Sequence, residues 1–242
     1  MYSKWHGICG TLTLAASLLI AGCGTTNNAY VRTVNASPGL TGYTVLVGVT
    51  PIASSLPYGT EGVQPKGQYS VDDSSGNYRE IGAGTSQAIV VYQKPGTNLA
   101  STTQTLIKNS YYTIVDVGIY PNLGLVALTD DDTAPTSGNF KLRFVQASSS
   151  SGPLDVYLTA PGAAVSGSPL FSNIQFGAAP PNYSQMAPGS FEMQITPHGS
   201  TAVLSKVPFS PTAGNVYSAF ALDPAPGSSN FGLLVTNDPV AK

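Results

Sequence analysis

The chain repeats itself, and that repetition limits its fold more than any other feature. Val31-Arg32-Thr33-Val34-Asn35-Ala36-Ser37 and Leu142-Arg143-Phe144-Val145-Gln146-Ala147-Ser148 are both short β-type runs with arginine second and Ala-Ser closing. From Arg32 and Arg143 the halves align without a gap through Val45/Val156 to Val47/Leu158. A second block pairs Tyr78 with Tyr183, Gly84 with Gly189, Ile89 with Gln194 and Tyr112 with Tyr217. The ends match as Leu128-Thr129-Asp130-Asp131 against Val235-Thr236-Asn237-Asp238. Three blocks in one order predict two related units, residues 29–133 and 139–242, joined by a linker at 134–138.

Neither unit carries an amphipathic helical stretch of useful length. Short runs rich in β-branched and aromatic residues alternate with turn signals instead, and the 26 glycines and 19 prolines fit many turns between short strands. Phe140, Leu142 and Phe144 alternate with Lys141, Arg143 and Val145; Leu154, Val156 and Leu158 alternate with Asp155 and Tyr157. That period of two puts the phenylalanines and leucines toward a core. Strand spacing is that of a sandwich, so the expected fold is all-β: two tandem β-sandwich domains, Ig-like or transthyretin-like.

The first residues read as a processing segment. Lys4 stands before the apolar run Thr11–Ile20, which is too short to span a bilayer. The run ends in Leu19-Ile20-Ala21-Gly22-Cys23, which resembles a bacterial lipobox. That resemblance implies that residues 1–22 are a signal peptide cleaved before Cys23, and that Cys23 is acylated as a membrane anchor. Residues 23–28 then form a short tether, whose five residues beyond the cysteine reach at most about 17 Å. No aspartate follows Cys23, which favours sorting to the outer membrane over retention; periplasmic and surface-facing placements stay open.

Processing would remove Trp5, His6 and Cys9, leaving His198 and Cys23 as the only histidine and cysteine. A disulfide within the chain and a Cys/His-type zinc or iron–sulfur site are then excluded. Charged residues are 9 % of the chain, the formal net charge is -2, and no lysine/arginine cluster occurs. That balance argues against a nucleic-acid partner.

The runs Arg143–Ser148, Leu154–Leu158, Phe171–Gly177 and Tyr183–Ser200 resemble the bacterial domain-of-unknown-function family 4397. In the first unit, Asn35–Pro38 and Tyr78–Thr85 carry the same resemblance, with a long insertion before Tyr78. The resemblance implies tandem β-sandwiches on exported, lipid-anchored envelope proteins, and it brings no catalytic residues with it.

Each candidate site has a sharper and a blander reading. Asp130, Asp131 and Asp132 offer hard oxygen ligands at the unit junction, suited to calcium, or else a solvated acidic turn, which is the preferred reading. Asp72-Asp73 reads the same way. Arg32 and Arg143 lie mid-strand among apolar neighbours, so a structural role is expected, with each guanidinium meeting a carboxylate or a carbonyl; Asp155 is a plausible partner for Arg143. Gly84 and Gly189 mark matching turns. His198, in Thr196–Ser200, reads as an exposed turn residue rather than a general base, and no G-x-S-x-G elbow occurs. Gly82-Ala83-Gly84 lacks the following helix of a phosphate loop, so no cofactor is expected. The tyrosines form either a sugar-stacking face or, more simply, core edges. The expected role is non-catalytic, structural or binding, with an envelope protein or glycan as partner; a cell-envelope hydrolase is the alternative.

Overall fold

The computed structural model describes residues 27–62, 77–93, 96–180 and 182–240, and every regular element in them is a strand. Residues 1–22, expected to be a signal peptide, Cys23 and Asp72-Asp73 lie outside the described residues. The first nine strands are β1 (Asn28–Asn35), β2 (Tyr43–Val47), β3 (Thr50–Ser54), β4 (Thr60–Gly62), β5 (Arg79–Gly82), β6 (Gly84–Gln93), β7 (Thr97–Leu106), β8 (Tyr111–Ile119) and β9 (Asn122–Thr129). The remainder are β10 (Phe140–Gln146), β11 (Leu154–Thr159), β12 (Phe171–Ile174), β13 (Ser184–Met186), β14 (Phe191–Pro197), β15 (Ser205–Phe209), β16 (Val216–Leu222) and β17 (Gly232–Asp238).

These strands form four sheets in two matching pairs. One sheet runs β4-β1-β8-β9, with β5 also on β1, and it faces the sheet β3-β2-β6-β7. The sheet β13-β10-β16-β17 faces β12-β11-β14-β15 in the same way. Val31, Ile114, Val45, Val91 and Ile89 fill the first core, while Phe140, Leu142, Phe144, Val156, Met193 and Ile195 fill the second. The alternation in β10 and β11 therefore places the expected side chains inward.

A third apolar layer lies between the two sandwiches. Val34, Ala36, Val115 and Val117 on β1 and β8 meet Val145, Ala147, Phe220 and Leu222 on β10, β16 and just beyond. Central strands β10 and β16 are consequently buried along their whole length, and the pairs β1/β8 and β10/β16 are parallel. Parallel strands covered on both faces are the usual arrangement. The second face of β10, which carries Lys141, Arg143 and Val145, is thus an interface and not a solvent side.

Two registers differ from the sequence alignment. Val47 pairs with Ile89, and Leu158 pairs with Met193, so the counterpart of Ile89 is Met193, not Gln194. A bulge between Gly84 and Gln87 gives β6 an extra residue, and in a period-two element one residue exchanges the faces. Gln194 accordingly points away from the core and donates to Thr159 Oγ1 and the Ala163 carbonyl. Likewise Tyr112 pairs with Thr129 and Tyr217 with Asn237, which makes Asp130, not Asp131, the counterpart of Asp238. Pro51 lies inside β3, an edge strand paired with β2, the kind of place where a strand tolerates proline.

Candidate functional site

The repeated arginines meet at the seam between the sandwiches, each held by the other unit. Arg32, on the interface face of β1, donates through Nε to Thr113 Oγ1 on β8 at 2.9 Å. Arg143, at the same place on β10, donates through Nε to Ser218 Oγ on β16 at 2.8 Å. Past these hydroxyls the guanidinium groups cross the seam. Arg32 pairs with Asp238 and Arg143 with Asp130, each carboxylate standing just after or at the end of the partner unit's last strand. Arg32 Nη1 also reaches the Asn237 carbonyl at 2.9 Å, and Arg143 Nη1 the Thr129 carbonyl at 3.2 Å. The hydroxyl of Thr113 turns its own hydrogen to Asp130, as Ser218 does to Asp238.

Tyrosines close the cluster. Tyr78 lies with its ring centroid 4.8 Å from the Arg32 guanidinium carbon and gives its hydroxyl hydrogen to Asp130 at 2.8 Å. Tyr183 repeats this 5.1 Å from Arg143, donating to Asp238 at 2.8 Å. Glu61, on β4, departs from the pseudo-twofold symmetry by adding a second carboxylate to Arg32. Both arginines and both aspartates are buried. Burial alone would push the arginines toward neutrality, but Tyr78, Asp238 and Glu61 around Arg32, and Asp130 and Asp238 around Arg143, raise both above the ordinary value. Burial would likewise raise the Asp238 carboxyl, and Arg32 and Arg143 instead hold it below the usual range. Charges so fully enclosed are stable only as a complete, hydrogen-bonded set.

This arrangement revises two expectations. Asp155 is not the partner of Arg143. It accepts from the Gly199 and Asn173 N–H groups at 2.9 and 2.8 Å, from Ser172 Oγ at 2.9 Å and lies 3.0 Å from His198 Nδ1. Burial would raise its pKa, yet those donors bring it down to about 2. Nor is Asp130 part of a solvated acidic turn, since three donors from both units occupy its oxygens. Asp131 binds Lys141 and Thr133 instead, and Asp132 is partly buried beside them. Among the described residues no group of three or more His, Cys, Asp or Glu side chains could hold a metal ion.

Three features escaped the sequence reading. Asp116 projects from β8 into the first core with no hydrogen bond of good geometry to either carboxyl oxygen, and burial pushes it up to about 8 against the lowering effect of the Tyr43 hydroxyl. Its position opposite Asn35 is filled in the second unit by Ala221, opposite Gln146. The serines after Ala147, which resemble a flexible spacer, fold around Asp223, whose carboxylate accepts from Ser148 Oγ and from the N–H and Oγ of Ser149 and Ser150. His198 forms a side-chain pair with Asp155 rather than standing free. An aspartate inside the apolar run Ile114–Val117 was the one signal that sequence offered for any of these.

Two open recesses flank the seam. One, of about 460 Å³, lies beside the cluster and is lined by Asp131, Lys141, Asn182, Tyr183 and Gln185 among others. The other, of about 580 Å³, lies at the opposite end between the β8–β9 turn and Ser149, with Ile119 and Phe176 each 46 % exposed at its wall. Tyr43, Tyr78, Tyr112, Tyr157 and Tyr217 are buried and offer no ring to a ligand. Tyr112 and Tyr217 accept the N–H groups of Ile107 and Thr212 at 2.9 and 3.0 Å. Gly84 opens β6 at its bulge, where an added Cβ would meet Gln87 Nε2 at 2.6 Å; at Gly189 it would meet the Phe191 ring at 3.0 Å.

A family model described as a domain of unknown function, DUF4397, matches residues 29–157. The chain belongs to that family. The match takes in β1 to β9, the linker, β10 and most of β11, so it includes both seam arginines and Asp130. No curated protein matches the chain. Among solved structures, it is similar to family 41 carbohydrate-binding modules from streptococcal virulence factors, described as recognising α-glucan. Identity is 15 %, with 79 % of this chain and 92 % of that one covered, at a TM-score of 0.26. A second α-glucan-binding streptococcal virulence factor matches at 10 % identity, the same coverages and a TM-score of 0.25. Likeness so slight carries no weight for a ligand.

Proposed function

We propose that this DUF4397 protein is a bacterial envelope lipoprotein, anchored through Cys23, whose role is structural or binding and not catalytic. The observation that carries the reading is Leu19-Ile20-Ala21-Gly22-Cys23 directly after the apolar run Thr11–Ile20. One acyl chain holds a protein only marginally, at about 0.8 kcal/mol per buried CH₂, whereas two or three on one cysteine hold it in effect permanently. The seam supports a scaffold role: two sandwiches joined by an apolar layer and a crossed ion cluster offer a fixed double module near the membrane. The anchor is tested by growing cells with a clickable palmitate analogue. The wild-type protein takes the label and sediments with membranes, and Cys23→Ala does neither; equal labelling of the two would end the lipoprotein reading.

A hydrolase is the competing reading, and the one geometric point in its favour is the Asp155–His198 pair. Among the described residues no hydroxyl hydrogen-bonds the other ring nitrogen of His198. A purified form spanning residues 24–242 is expected to leave generic ester, glycoside and peptide substrates intact. Turnover that disappears in His198→Ala would replace the binding role by catalysis.

A further inference from the structure

We propose that the end of the first sandwich at which the chain arrives from Cys23 lies against the lipid surface, with Val49 and Ile107 in the headgroup–acyl boundary and Lys108 among the headgroups. This rests on the lipid anchor proposed above and adds an orientation to it.

Several segments of the first unit meet at that end. The chain enters through Asn27 and Asn28: the Asn27 carbonyl accepts the Ala83 N–H at 2.7 Å, and the Asn28 carbonyl accepts the Asn109 N–H at 2.8 Å. Tyr30 N–H then donates to the Ser110 carbonyl at 2.9 Å. The loop Ile107–Ser110 is therefore bonded directly to the entering strand. The β2–β3 turn points toward the same end from partway along the sheet: Gly48 N–H donates to the Ala88 carbonyl at 2.7 Å, four residues along β6 from Gly84, which pairs with Leu106. Val49 at the tip of that turn is 93 % exposed and Ile107 is 60 % exposed, the two highest values among the large apolar side chains of the described residues. Lys108 beside Ile107 is exposed too.

A hairpin tip is ordinarily polar, and two bare aliphatic groups beside a lysine need a reason in a chain with so few charges. The second unit supplies the contrast. Thr212 occupies the place of Ile107, its N–H bonded to Tyr217 as that of Ile107 is to Tyr112. The apolar side chain thus occurs only on the unit that the tether enters. Five residues of tether reach at most about 17 Å, which keeps this end at the surface where the acyl chains insert. Aliphatic groups at the headgroup boundary with a cation beside them are what such a surface accepts. Ile119, at the other end of the nine-residue β8 strand, is about 26 Å away at some 3.3 Å per residue. The recess lined by Ile119 and Phe176 would then face away from the membrane.

Because Cys23 is acylated in the mature protein, an introduced cysteine is the sole free thiol. Full-length lipidated protein with Val49→Cys, Ile107→Cys or Ile119→Cys is labelled with an environment-sensitive fluorophore and reconstituted into phosphatidylethanolamine/phosphatidylglycerol vesicles carrying nitroxide lipid. Probes at 49 and 107 are expected to shift to the blue and to be quenched at least about twofold more than the probe at 119. Equal quenching at the three positions in protein that still floats with the vesicles would overturn the orientation and leave the anchor intact. Protein that neither floats nor carries acyl groups would overturn both.

Discussion

Arg143→Ala is expected to cost the protein about 3–5 kcal/mol, read as a lower urea midpoint with an unchanged slope. Removing the guanidinium leaves Asp130 buried with only Thr113 and Tyr78 to hold its charge, and takes away the contact that ties the second unit to the end of the first. Asp238→Ala should be at least as damaging, because Asp238 faces both arginines, pairing with Arg32 and lying 3.5 Å from Arg143 Nη2. The double variant Arg143→Ala/Asp130→Ala should lose clearly less than the sum of its single changes, since each single change strands the other charge. Additive losses in that cycle would mean that the two side chains act separately and that the cluster is not a unit.

Asp116→Asn should raise stability at neutral and alkaline pH, and the sign follows from its perturbed acidity. Burial lifts the carboxyl of the folded protein from the ordinary 3.8 to about 8. Between those values the folded chain keeps a proton that the unfolded chain has released. Stability contributed by the neutral carboxyl is therefore full below about pH 4 and drains away as pH rises to about 8. At about 1.4 kcal/mol per unit this amounts to several kcal/mol across the window. Denaturation midpoints at pH 5, 7 and 9 should fall for the wild type relative to Asp116→Asn. Parallel curves for the two proteins would show that Asp116 is solvated or paired in the folded state.

Period-two patterns made the strands and the inward faces of β10 and β11 readable in the sequence, because one sheet face packs on a core whatever lies on the other. They could not say that the second face was buried as well. Lys141, Arg143 and Val145 look like an outward row until another sheet covers them. The arginine partners were hidden for the same reason: Asp130 and Asp238 come from the opposite unit, and no local spacing encodes a contact across a seam. The internal alignment found the equivalent arginines yet slipped by one at β6, where a bulge changes length without changing composition, and again at the last strands. Nearness in sequence made Asp155 a plausible partner for Arg143, but β10 and β11 belong to opposite sheets.

The crossed pairing also has a bearing on the order in which the chain acquires its structure. Arg32 and Asp238 are separated by 206 positions, so the deepest partner of a residue in β1 is synthesised long after it. Until β17 arrives, that guanidinium stays hydrated or leans on Glu61 and Thr113 within its own unit. Contacts of such long sequence separation are slow to form. Late completion would suit the exported protein proposed above, and it makes β17 of the second sandwich the latch on β1 of the first.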